Sequence, residues 1–122
     1  MNEKYSNLME SFTFKNGVTL RNRVVMAPMT TWASNDDYTV SDEELNYYKK
    51  RVTGVGMVIT GCTRVQPNGI GFANEFAAYD DSFIPSLRKL AEATKSGGAQ
   101  AILQIFHAGN KGLRPFTPNG SV

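Results

Sequence analysis

The sequence predicts an α/β fold of repeating βα units, in which parallel strands are joined by helices and a ligand site forms at the strands' carboxyl ends. Three observations predict it. The apolar runs Val24–Thr30, Met57–Cys62 and Ala101–His107 each stop at a polar or sulfur-bearing residue. The stretches between them carry helix signals. The runs are also nearly unbroken in apolar character, as strands are when both faces of a parallel sheet are covered. Function is therefore expected at Pro28–Thr30, around Cys62 and at Gln104.

The first element is a hairpin. Phe12–Leu20 alternates apolar and polar residues around Asn16-Gly17, a hairpin signal because both residues tolerate the positive φ of a type I′ turn. This hairpin is expected to close one end of the βα units. A first strand is expected over about Arg23–Met29, followed by a polar loop through Ala33–Thr39. Ser41, three residues before Glu44, forms a capping box, and Asp42 and Glu43 complement the helix dipole. Leu45, Tyr48 and Val52 then make one apolar stripe, with Gly54 as the stop.

A second strand covers about Met57–Thr63. The Gly-, Asn- and aromatic-rich loop from Gln66 to Tyr79 is long for a plain connector, and long loops at that end of a strand often serve binding. A second helix runs from about Ser82 to Lys95. Pro85 is tolerated in its first turn, where the missing amide hydrogen has no intrahelical partner. Ile84, Leu87, Leu90 and Ala91 are expected on one side. Gly97-Gly98 ends it, and a third strand runs over about Gln100–Phe106. After Gly109 the chain reads as an open loop. The 122 residues thus form one unit with a hairpin at about 12–20, three strands alternating with two helices, and no complete second domain.

Composition bounds the function. Hydrophobic residues make up 41% and charged residues 20%, ordinary for a soluble globular protein. A net charge of +2 with scattered basic residues argues against nucleic acid or an anionic membrane as partner. No apolar run reaches the roughly 18 residues of a membrane span, and Asn2, Glu3 and Lys4 open no signal-peptide pattern. One cysteine excludes an internal disulfide or a Cys-based metal cluster and suits a reducing cytoplasm. A soluble cytoplasmic protein is expected, with a homo-oligomer left open. No G-x-G-x-x-G follows the first strand, which weakens a dinucleotide-binding reading. An open doubly wound sheet and a (β/α)8 barrel both remain compatible with the pattern.

Asn22-Arg23-Val24-Val25-Met26-Ala27-Pro28-Met29-Thr30, Gly56-Met57-Val58-Ile59-Thr60 and Leu103-Gln104-Ile105-Phe106-His107-Ala108-Gly109 together resemble the Old Yellow Enzyme family. Any one motif is weak; the three in register are fairly specific. The resemblance implies the N-terminal part of a (β/α)8 TIM barrel preceded by a β-hairpin lid. It also implies an FMN-dependent oxidoreductase that passes hydride from NADH or NADPH through the flavin to a small-molecule electron acceptor such as an activated alkene. That family is roughly three times longer than this chain, as complete barrels are. Three open parallel strands leave an unpaired edge and an uncovered apolar face, so a portion of a larger enzyme, inactive alone, is expected.

The resemblance also assigns roles. Ala27, Pro28, Met29 and Thr30 match the segment along the isoalloxazine ring, with Thr30 near O4, where a donor stabilises charge on the reduced ring. Cys62 stands where the family usually has Gly or Ala and offers its backbone. Gln104 matches the glutamine at the pyrimidine edge. Trp32 falls where some relatives place an aromatic residue near the substrate. The family's substrate-binding His/Asn pair, its proton-donating tyrosine and its phosphate clamp come from later strands. No catalytic residue is therefore assigned within these 122 residues, and Asn110 departs from the arginine that commonly follows His-Ala-Gly.

Each assignment has a plainer counterpart. Thr30 could simply end a strand, and Gln104, an amide in an apolar strand, could bond a structural partner. Cys62 could be a small core residue. His107 could touch ligand or only order its loop, and Arg23 could help hold the flavin phosphate or ribityl chain or pair with a carboxylate near the barrel base. Two other functions compete: a barrel enzyme that binds a different phosphorylated metabolite, and a non-catalytic truncated product. No metal site is expected.

Overall fold

The computed structural model describes residues 3–120. A short helix α1 (Ser6–Met9) leads into an antiparallel hairpin, β1 (Phe12–Thr13) and β2 (Thr19–Leu20). Strand β3 (Val25–Met26), helix α2 (Asp42–Lys49), strand β4 (Met57–Arg64), helix α3 (Ile84–Lys95) and strand β5 (Gln100–Phe106) come next. The last three strands form one parallel sheet in the order β3-β4-β5, so the expected βα repeat is present in order.

The hairpin forms where expected but with a different turn. Gly17 donates to the Phe14 carbonyl, Phe14 donates to the Val18 carbonyl, and only Gly17 has positive φ, at 86°. This is a three-residue loop with glycine in the left-handed position, not a two-residue type I′ turn. Asn16 instead turns its side-chain oxygen to the Val18 amide at 3.2 Å, an Asx interaction that favours that loop. The hairpin sits at the amino end of the sheet, where Gln100 Nε2 donates to the Thr19 carbonyl. Asn22 fastens it there: its Nδ2 donates to the Gly54 carbonyl at 2.7 Å. A Cβ on Gly56 would lie 2.1 Å from the Asn22 carbonyl oxygen, so only glycine permits that approach.

Strand β3 is much shorter than the expected Arg23–Met29. It pairs only Val25↔Met57 and Met26↔Val58. Pro28 has no amide hydrogen for a ladder, and residues 27–30 leave the sheet. Helix α2 begins as expected, with both halves of the Ser41–Glu44 capping box formed. It ends at Lys49, before Gly54. Gly54, at φ 90°, instead turns the chain into β4. Leu45, Tyr48 and Val52 are all buried as their spacing requires.

Helix α3 starts at Ile84, after a 3-10 turn at Asp81–Phe83 capped by Asp80. The buried stripe begins one residue earlier than expected, four residues before Leu87. Phe83 takes the buried place, packed edge-on to Tyr79, and Ile84 is left exposed.

The core lies between the helices and one face of the sheet. Val40, Leu45, Tyr48, Val52, Val58, Phe76, Leu90, Ala93 and Ala99 form one buried cluster. As expected of three open strands from a larger barrel, Val25 and Ile102, on the opposite face, stay exposed among the described residues. On the edge strand Ile105 is 71% exposed. The apolar character of these strands therefore exceeds what this chain buries.

Candidate functional site

The site starts with an irregularity in β4. The β4–β5 ladder runs Met57↔Gln100, Val58↔Ala101, Ile59↔Ile102 and then resumes at Cys62↔Gln104. Strand β4 therefore carries one extra residue at Thr60–Gly61, a β-bulge that opposes two residues to one. Beyond it, Cys62 and Gln104 share the uncovered face, with the Cys62 thiol 3.9 Å from Gln104 Oε1.

Residues 27–30, having left the sheet, cross over this bulge. A Cβ on Gly61 would meet the Met29 carbonyl oxygen at 2.6 Å. The Cys62 amide donates to Thr30 Oγ1 at 3.5 Å. Thr30, Cys62 and Gln104 therefore stand together at the carboxyl ends of three adjacent strands, all half-buried. Ala27, Pro28 and Met29 lead to them along an exposed edge. The donor set is neutral: one hydroxyl whose own proton remains to donate, one carboxamide and backbone amides.

Aromatic rings stand beside this patch. Trp32, 65% exposed, is stacked at 6.1 Å on Phe72, whose ring lies 5.8 Å from that of Phe106. Trp32 holds φ 54°, a left-handed conformation that costs a bulky residue about 1–3 kcal/mol and is concentrated at functional sites. Phe72 carries no signal in the sequence beyond the aromatic content of the 66–79 loop, and Phe106 none beyond its place in the third apolar run. His107 lies with its ring against Gly69, and its Nδ1 accepts from the Gly109 amide at 3.0 Å, so it orders the turn after β5. Arg23 pairs with Glu10 at 3.4 Å.

Buried polar residues support the strand-end loop. Glu44, 1% exposed, accepts from the Ser34 hydroxyl at 3.0 and 3.1 Å, from the Ser41 amide at 3.1 Å and from the Thr31 hydroxyl. The capping-box signal marks Glu44 as a helix cap but gives no sign of its hold on the segment after Thr30. The Tyr48 hydroxyl accepts the Gly61 amide at 2.9 Å, and burial pushes its pKa up to about 12. Behind the 66–79 loop, buried Arg64 lies 4.0 Å from the Tyr38 ring centroid and 5.3 Å from that of Tyr79. Burial pushes the neighbouring Glu75 carboxyl up to about 7. Ser34 and Asn74 exchange bonds of 3.0 Å that tie the two loops.

Among the described residues, no cluster of three or more His, Cys, Asp or Glu could hold a metal. No helix among them is long and apolar enough to cross a membrane.

Comparison with known proteins gives this geometry a context. Residues 7–118 match the model of the NADH:flavin oxidoreductase / NADH oxidase family. The chain is 52% identical over 109 residues to the probable NADH-dependent flavin oxidoreductase YqiG of Bacillus subtilis (strain 168), covering 89% of this chain and 29% of that protein. It is 40% identical over 102 residues to the NADH:fumarate oxidoreductase of Klebsiella pneumoniae (strain 342), covering 84% of this chain and 11% of that protein. Among solved structures, the old yellow enzyme from Trypanosoma cruzi superposes with a TM-score of 0.80 at 35% identity, over 93% of this chain and 30% of that one. The chain thus spans at most about a third of the length of these relatives. Its fold is the expected one, the N-terminal part of a (β/α)8 barrel preceded by a hairpin.

Proposed function

Because this chain belongs to the NADH:flavin oxidoreductase / NADH oxidase family, we propose that it supplies one side of the flavin site of an FMN-dependent oxidoreductase that uses NADH as reductant. The observation that carries this reading is the convergence of Thr30, Cys62 and Gln104 on the uncovered face of the sheet. The donor set suits the group. A flavin's pyrimidine edge alternates neutral carbonyl acceptors with an N–H donor, and the Gln104 carboxamide can answer both. No charge is needed there and none is present among the three.

When bound, FMN supplies the hydride chemistry between nicotinamide and acceptor. The residues of this chain hold and tune the ring. Thr30 accepts the Cys62 amide and keeps its own proton to donate where negative charge develops on the reduced ring. Gln104 orients the ring through its carboxamide, and the Cys62 backbone borders it. Residues Ala27–Met29 line its edge, and Met29 is steadied by a 3.9 Å contact from the Tyr47 hydroxyl.

Trp32, strained and exposed beside Phe72, faces the side on which a small electron acceptor would lie. An activated alkene is the proposed acceptor class. His107 has its Nδ1 engaged by the loop amide and is assigned loop ordering; the proton donor and the phosphate clamp are proposed to come from later strands of the complete protein. Family membership favours this reading over a barrel for another phosphorylated metabolite.

Purification of the complete protein tests the proposal. A yellow protein with flavin absorbance that NADH bleaches anaerobically is expected. A colourless product that neither binds FMN in titration nor oxidises NADH would overturn it.

A further inference from the structure

We propose that the Thr60–Gly61 bulge, locked by the Tyr48 hydroxyl, is the device that sets Thr30, Cys62 and Gln104 against the flavin. Tyr48 and Thr60 are positioning residues and touch no ligand. The inference rests on the flavin reading and extends it to two buried residues on the helix side of the sheet.

Register supplies the first step. Had the ladder continued regularly from Ile59↔Ile102, the partner of Gln104 would be Gly61, which has no side chain. Successive residues alternate faces, so Cys62 would then turn toward the helices. The extra residue brings Cys62 opposite Gln104 instead, on the open face.

The bulge must then satisfy the amides it removes from the ladder, since an unpaired buried N–H is costly. Three hydroxyls from three elements do this. Thr60 Oγ1 accepts the Gln104 amide at 3.1 Å and donates to the Gly61 carbonyl at 3.1 Å. The Tyr48 hydroxyl, from α2, accepts the Gly61 amide at 2.9 Å. Thr30 accepts the Cys62 amide.

Tyr48 and Thr60 are only 1% and 3% exposed, so they reach the open face solely through the backbone they hold. The Thr60 bond fixes the backbone of Gln104 itself. The Tyr48 bond fixes Gly61, on which the Met29–Thr30 backbone rests without room for a methyl group. The height of the bulge thus sets the height of Thr30.

The experiment uses the complete protein with FMN, comparing wild type with Tyr48→Phe, Thr60→Val and Thr60→Ser. The Phe and Val replacements keep volume and remove the hydroxyl; Ser keeps the hydroxyl. Tyr48→Phe and Thr60→Val are each expected to weaken FMN binding about tenfold. Both should also shift the flavin reduction potential and the fine structure of its visible band, and Thr60→Ser should restore all three readouts. Variants whose Kd, potential and spectrum match wild type, even with a lower Tm, would show a structural role only and overturn the inference. Should Thr60→Val fail to fold, Tyr48→Phe decides by the same readouts. A wild-type protein that binds no FMN overturns the flavin reading itself. A wild type that binds FMN alongside indistinguishable variants overturns only the positioning role.

Discussion

The amide of Cys62 donates to the hydroxyl of Thr30 across 32 positions of chain, joining a strand end to a segment that has already left the sheet. This bond aims the remaining Thr30 proton and ties two of the proposed flavin contacts to one another.

Thr30→Ala in the complete protein removes both roles of that hydroxyl. Loss of a donor to the reduced ring should lower the flavin potential and slow reduction by NADH about tenfold, while Thr30→Ser stays within about twofold of wild type. Potentiometry and anaerobic stopped-flow absorbance measure both. Equal reduction rates in wild type and Thr30→Ala would count against a flavin contact at Thr30.

Gly61→Ala places a methyl group 2.6 Å from the Met29 carbonyl oxygen and 3.2 Å from the Thr30 Cα. Both obstacles are backbone, so the segment must lift. The expected result is a loss of about 1–3 kcal/mol in stability and FMN binding weakened by at least about tenfold. Denaturant unfolding and fluorescence titration of FMN measure the pair, and wild-type affinity would show that the approach is not needed.

Glu44 is the acceptor for Thr31, Ser34 and the Ser41 amide. Glu44→Ala strands all three donors and should cost about 2–4 kcal/mol, whereas Glu44→Gln keeps one acceptor oxygen and should cost less. Equilibrium unfolding in urea decides it. A loss below about 0.5 kcal/mol for Glu44→Ala would mean that water replaces the carboxylate freely.

Glu75 predicts a pH dependence. Burial raises its carboxyl from 4.5 to about 7, and the Gly71 amide and Arg64 offset this only in part. An acid with a raised folded pKa binds more protons folded than unfolded. Its contribution to stability is therefore fully present below about 4.5 and lost as pH rises through about 7. Between those limits wild type should lose roughly 2–3 kcal/mol relative to Glu75→Gln. Unfolding free energies of both proteins at the two ends of the window measure this, and parallel pH profiles would refute it.

Much of the fold is legible in the residues. The Ser41–Glu44 box begins α2 where its spacing requires, because a cap is satisfied within one turn of chain. Strand β5 has the limits its apolar run and the preceding Gly97-Gly98 predict. The shortness of β3 is half-visible in Pro28, which lacks a ladder donor. The hairpin turn differs from expectation because an Asn-Gly pair serves two loop lengths, and the Asn16 side chain selects between them. Ile84 departs from its expected side because Phe83, four residues before Leu87, occupies that place on the buried stripe.

The sequence by itself determined the order of elements, the parallel βα arrangement and which strand ends carry polar groups, since these depend on spacing and on capping within a few residues. Only the tertiary structure decided that Cys62, not Gly61, stands opposite Gln104. That outcome needs a bulge whose three freed amides find hydroxyls from β4, α2 and the segment beyond β3, and such partners, distant in sequence, leave no periodic trace. The same holds for Glu44, whose capping role is local and whose grip on Thr31 and Ser34 appears only once the chain has folded back upon it.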